Sequence, residues 1–221
     1  MSTGQRAAEG TRRSGTRARR PAGRRGPSTV AGVLLFAVGV IAFLGIITAE
    51  ALYPGYSTSA NEISDLGATR PPESLVVQPS ATIFNITMMV CGVFIILAAF
   101  FLYRSFKSRA VGISTGLFGV GVLGVGIFPG NYGNVHAGLA LLTFVAGAVA
   151  AILAYKVETA PFRYFSVVLG AVSLVVLVLY FILGDSHPLA GLGSGGIERW
   201  VAYPILLWVT GFGGYLLGRS R

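Results

Sequence analysis

The sequence predicts an all-α membrane protein: a bundle of six transmembrane helices with both termini in the cytoplasm. Three observations carry this. Only 11% of the 221 residues are charged against 53% hydrophobic, with mean hydropathy +0.72, whereas soluble domains run near a quarter charged. So few charges cannot cover an aqueous surface of this size. The apolar residues fall into six runs, each close to the roughly 20 residues that cross about 30 Å of hydrocarbon. Finally, basic residues are segregated between the flanks of those runs. The N-terminal tail, Arg104, Lys107, Arg109, Lys156, Arg163, Arg219 and Arg221 lie on one side, and only Arg70 and Arg199 on the other, 15 against 2. The richer side is expected to be cytoplasmic.

Residues 1–27 hold eight arginines and one acid, Glu9. They have no hydrophobic period and cannot bury a core. A disordered basic cytoplasmic tail resting on anionic lipid is expected, and the net charge of +9 therefore implies no nucleic-acid partner. The transmembrane domain follows over 28–218, with helices at about 28–50, 80–103, 110–128, 134–155, 164–183 and 199–218. None of these runs alternates as a barrel strand would. Ala49-Glu50-Ala51 has the form of a signal cleavage site, but the apolar stretch before it, Val30 to Ala49, exceeds the usual 7–15 residues of a signal core. The first helix is expected to stay attached. The long outer segment 51–79 is too rich in Pro, Gly and Ser for continuous helix, and loops of that length are more often functional than accidental. The segment 184–198 carries Gly191, Gly193, Gly195 and Gly196 and should be flexible or tightly turned.

Small residues recur at helical spacing, which lets helices approach in lipid. The third helix has Gly112, Gly116, Gly119 and Gly126, the fourth Ala140, Thr143, Gly147 and Ala151, and the sixth Gly211, Gly214 and Gly218. His136 continues the small face of the fourth helix and should look into the bundle. Arg199 shares a face with Tyr203, Leu206, Thr210 and Gly213, while Glu50 lies over Gly39 and Ile46 on the first. His187, before Pro188 in a loop, is expected to be exposed. Cys91 is the single cysteine, so no intrachain disulfide forms. Two histidines are too few for a histidine-rich metal site. No P-loop, H-E-x-x-H or dinucleotide fingerprint is present, so no metal and no cofactor is expected.

Several local signatures occur in order. Asn61-Glu62-Ile63-Ser64-Asp65-Leu66-Gly67 follows the first helix. Gly124-Val125-Gly126-Ile127-Phe128-Pro129 precedes His136. Gly196-Ile197-Glu198-Arg199 leads to Tyr203-Pro204. In these the chain resembles the prokaryotic multi-span membrane family known as domain of unknown function 998, over most of residues 30–218. The resemblance implies a six-helix membrane bundle in the cell membrane and supplies no catalytic role.

All three signatures lie at the outer helix ends. Glu62, Asp65, His136, Glu198, Arg199 and Tyr203 are therefore the candidate polar cluster. Each also has a plain structural role open to it: a turn or cap for Asp65, an ion pair for Glu198–Arg199, a hydrogen bond for His136. Glu198 points about 100° from Arg199 on an ideal helix, so Asp65 or Glu50 is as good a partner for Arg199. Three functions remain open: binding of a lipid head group or small polar ligand, a membrane-embedded hydrolase or lipid-modifying enzyme using His136 with Asp65 or Glu198, or an accessory or assembly subunit. The lack of charge within the helices speaks against ion translocation.

Overall fold

The computed structural model describes residues 26–219. It holds six long helices: α1 (Pro27–Ala51), α2 (Ser80–Phe106), α3 (Arg109–Ile127), α4 (Asn134–Ala154), α5 (Phe162–Leu183) and α6 (Gly193–Arg219). All are long and apolar enough to span a membrane, and no strand occurs among the described residues. The basic tail expected over 1–27 lies, up to residue 25, outside the described residues.

Local chemistry sets the helix ends. Pro27 opens α1, where its missing N–H costs nothing. The turn between α2 and α3 takes two residues: Lys107 adopts a left-handed conformation at the end of α2, and the Ser108 side chain caps α3 by accepting from the Val111 N–H at 3.4 Å. So short a link makes the two helices antiparallel neighbours. Each helix packs on the next, and α6 returns to α1, so the six close into a ring.

The ring is apolar on its outside as well as its inside, unlike a soluble protein. Leu44, Ile47, Ile113, Phe165, Phe181 and Ile182 are among many large apolar side chains exposed on the outside, where acyl chains receive them. The inside holds Trp208, Phe212, Leu35, Ile95 and Leu102 with a run of buried alanines on α4. Close approach depends on glycine. A Cβ on Gly126 would fall 2.7 Å from the Asn85 carbonyl oxygen, and one on Gly119 2.9 Å from the Ile96 nitrogen, so α2 and α3 touch backbone to backbone. Gly39 of α1 likewise leaves room only for Thr210 of α6. On the spanning part of α6 the buried glycine is Gly213, which meets the Phe36 backbone; a Cβ on Gly211 would lie 3.0 Å from the Phe162 ring of α5, while Gly214 and Gly218 face a distant ring or open space. Of the expected face of Gly211, Gly214 and Gly218, only Gly211 is a close contact.

α6 starts at Gly193, earlier than the glycine content suggests. Gly193, which opens the helix with φ +73°, and Gly195 both lie directly under the loop after α1. The Gly195 N–H donates to the Ser59 carbonyl at 2.9 Å, and any Cβ at Gly195 would collide with the Asn61 carbonyl. Built of six spanning helices, this chain is an integral, multi-pass membrane protein.

Candidate functional site

The loop over residues 52–79 folds back across one end of the ring, referred to here as the capped end. Leu66 and Ala68 are buried, and Ile63 and Leu66 pack with Ile46, Ala49, Phe84 and Val125. The loop is therefore a plug with its own apolar anchor. A short 3-10 turn, Ile63–Leu66, organises its centre. Asp65 Oδ2 accepts from the Glu62 N–H at 2.9 Å and closes a reciprocal cap on that turn.

Arg199 fastens the first part of the plug. Its Nη1 donates to the carbonyls of Thr58 (2.9 Å), Asn61 (3.1 Å) and Gly195 (2.9 Å). Its Nη2 donates to Glu50 Oε1 at 2.6 Å and to the Tyr56 hydroxyl at 2.7 Å. The guanidinium also lies over the Tyr56 ring, 5.6 Å from its centre. Burial pushes the Tyr56 hydroxyl above its ordinary pKa, so it stays protonated and donates in turn to the Glu62 carbonyl at 2.9 Å. Glu50 is thus the ionic partner of Arg199. Glu198 turns elsewhere, as its position on the helix requires, and accepts from the Ile63 N–H. Glu62 pairs with Arg70 at 2.7 Å; burial raises the Glu62 pKa and Arg70 opposes that rise.

Behind the plug, inside the ring, is a cavity of about 110 Å³. Its walls are apolar side chains of α1, α2, α3, α4 and α6, and its polar groups are Ser64, His136, Thr143, Glu198 and Tyr203. His136, 1% exposed, holds its Nδ1 2.8 Å from the Phe128 carbonyl oxygen. A carbonyl can only accept, so Nδ1 carries the proton, and Nε2 of the neutral ring is left with a lone pair. That Nε2 is buried and has no hydrogen-bond partner, the arrangement that ordinarily calls for a missing partner. His187 differs from the exposed side chain expected of it. It is buried, and its Nδ1 accepts from the Leu189 N–H at 2.9 Å, which makes it the opposite tautomer.

The six candidates therefore divide. Glu198, His136 and Tyr203 line one cavity. Glu62 and Asp65 lie with Arg70 in a groove on its rim. Arg199 does not line the cavity and serves the plug. Two residues escaped sequence reading. Ser64 was quoted within a signature but given no role, yet it lines the cavity. Glu158, between α4 and α5 at the opposite end, is buried with no good hydrogen bond to either carboxylate oxygen. Burial pushes its carboxyl up to about 7, with Ser166 and Trp208 close enough to oppose the rise. Its one visible signal is that it is a lone acid in an otherwise basic flank.

The three signatures meet at this end: Ile63 bonds Glu198 and Asn61 bonds Arg199, and Val125 of the second packs with Ile63 and Leu66 of the first. The family described as Protein of unknown function (DUF998) matches residues 36–215, a span that contains all of them. No curated protein and no solved structure matches the chain.

Proposed function

The chain belongs to the DUF998 family, and we propose that it binds an amphipathic molecule whose polar end donates a hydrogen bond to His136 inside the capped end of the bundle. The observation that carries this is the buried, unpartnered Nε2 of His136, a residue on the wall of a mostly apolar cavity. An acceptor without a donor costs about 1–3 kcal/mol, a penalty that a hydroxyl or amine would remove. Glu198, on the same wall, already accepts from the Ile63 N–H. An anion would find no free positive charge, since Arg199 is engaged with Glu50 and Tyr56 and Arg70 with Glu62. The cavity, about 110 Å³, is somewhat smaller than the roughly 150 Å³ cavity that binds benzene. It holds one ring or a short alkyl segment and not a whole acyl chain. The basic count supports a capped end on the outer side of the cell membrane and a tail on its anionic inner leaflet.

Benzyl alcohol, toluene and benzoate test the reading by thermal unfolding of the detergent-solubilised protein. Benzyl alcohol should raise Tm more than toluene, and benzoate should not raise it. In His136→Phe the advantage of the alcohol over toluene should vanish. Equal shifts for all three compounds, or an alcohol advantage that survives His136→Phe, would overturn it.

A further inference from the structure

We infer that the cavity is loaded sideways from the bilayer by a long-chain lipid bearing a hydroxyl or amine head, through a groove between α4, α5 and α6. This rests on the cavity reading above and adds the route and the class of occupant.

The groove has two kinds of wall. Toward the membrane it is apolar, formed by Leu141, Leu177 and Phe181, of which Phe181 is 67% exposed. Toward the capped end it is polar, formed by Glu62, Arg70 and Ser194. Amphipathic lipids have that polarity along their length. The groove and the central cavity also share Ser64, Ala140, Phe144 and Glu198. A partition only these side chains thick separates bilayer from cavity, and Glu198 faces both.

From the aqueous side the plug covers the cavity. The plug is held there by the Arg199 bonds and by buried Leu66 and Ala68. Size points the same way. A cavity of about 110 Å³ accepts the head end of a lipid, and the groove then carries the remaining chain out to the membrane. The polar groups select the head. Arg70 and Glu62 neutralise each other, which leaves the His136 lone pair for a donor and no free positive charge for a phosphate.

The test uses the full chain in phosphatidylcholine nanodiscs, with hexadecan-1-ol carrying a diazirine beside its hydroxyl end. Labelling of the cavity residues Met88 and Cys91 is followed by peptide mass spectrometry. Ala137 lines the groove and not the cavity. Ala137→Trp should slow cavity labelling at least tenfold while leaving the benzyl alcohol thermal shift intact, and Ala137→Ser should change neither. If Ala137→Trp fails to fold, Leu141→Ala decides: a wider groove should speed labelling severalfold. Unchanged rates in the folded variants would overturn the lateral route. No cavity labelling in the wild type, with the benzyl alcohol shift present, would overturn the lipid occupant alone. Absence of that shift would remove the cavity reading and this inference together.

Discussion

Replacing Arg199 with methionine removes the group that ties the plug to the bundle. Its guanidinium makes five hydrogen bonds, three to carbonyls of the loop and of α6 and two to Glu50 and Tyr56. Its side chain is 11% exposed and that of Glu50 is 18% exposed, so both ends of the ion pair are largely out of water. Breaking a buried pair by removing one partner costs about 3–5 kcal/mol, because the other charge stays behind. Arg199→Met should therefore cost about that much, and Arg199→Met/Glu50→Gln should recover part of it. Lysine should not rescue, since three donors on one nitrogen cannot serve two nitrogens' worth of partners. Arg70→Ala is the internal control. Its pair with Glu62 has the arginine 58% exposed, so about 0–1 kcal/mol is expected. Unfolding in mixed micelles by a denaturing detergent gives the free energies, and protease cleavage within 52–61 reports release of the plug. A loss below about 1 kcal/mol for Arg199→Met, with cleavage unchanged, would refute the reasoning.

Other perturbations separate packing, charge and topology. Gly92→Ala puts a methyl 2.6 Å from the Leu123 Cα and should cost about 1–3 kcal/mol; Gly218→Ala meets nothing and should be neutral or stabilising by up to about 1 kcal/mol, both read by the same unfolding assay. Burial raises the Glu158 carboxyl to about 7, so the native state favours its protonated form. Its stabilising contribution is full below the ordinary carboxylate pKa and is lost as pH rises through about 7, by at most about 3 kcal/mol; Glu158→Gln should flatten that part of the pH–stability profile. Reporter fusions after Lys107 and Lys156 should report cytoplasm, and fusions within 52–79 and 184–198 the outside; the reverse pattern would reject the orientation.

The six spans were legible because membrane depth leaves a one-dimensional mark: about 20 apolar residues and few charges. Five helices begin and end within a few residues of their expected bounds. The sixth does not, because Gly193 and Gly195 look like loop residues locally, and the 57–61 backbone that lies on them at the start of α6 leaves no mark in their spacing. Helical periodicity placed His136 and Tyr203 on inward faces and Glu198 and Arg199 on different ones. It could not assign partners. Glu50 rather than Asp65 meets Arg199 because the plug folds in three dimensions, and Asp65 is consumed in its own turn. On α6 the spacing found the close contact at Gly211 and left Gly213 out of the small-residue face, because glycine marks both close contacts and open positions. Glu158 was missed because a loop acid reads as solvated until burial is known.

The central claim is that His136 Nε2 is an open acceptor within the cavity, and nitrogen NMR of the histidine rings tests it most directly. The chain has two histidines, and the structure gives them opposite tautomers. His136 should show a protonated Nδ1 and an unprotonated Nε2. Benzyl alcohol should move the Nε2 resonance in the direction of an accepted hydrogen bond, while toluene and benzoate leave it in place and the His187 signals do not respond. A His136 protonated at Nε2, or an Nε2 signal indifferent to the alcohol at concentrations that raise Tm, would contradict the account.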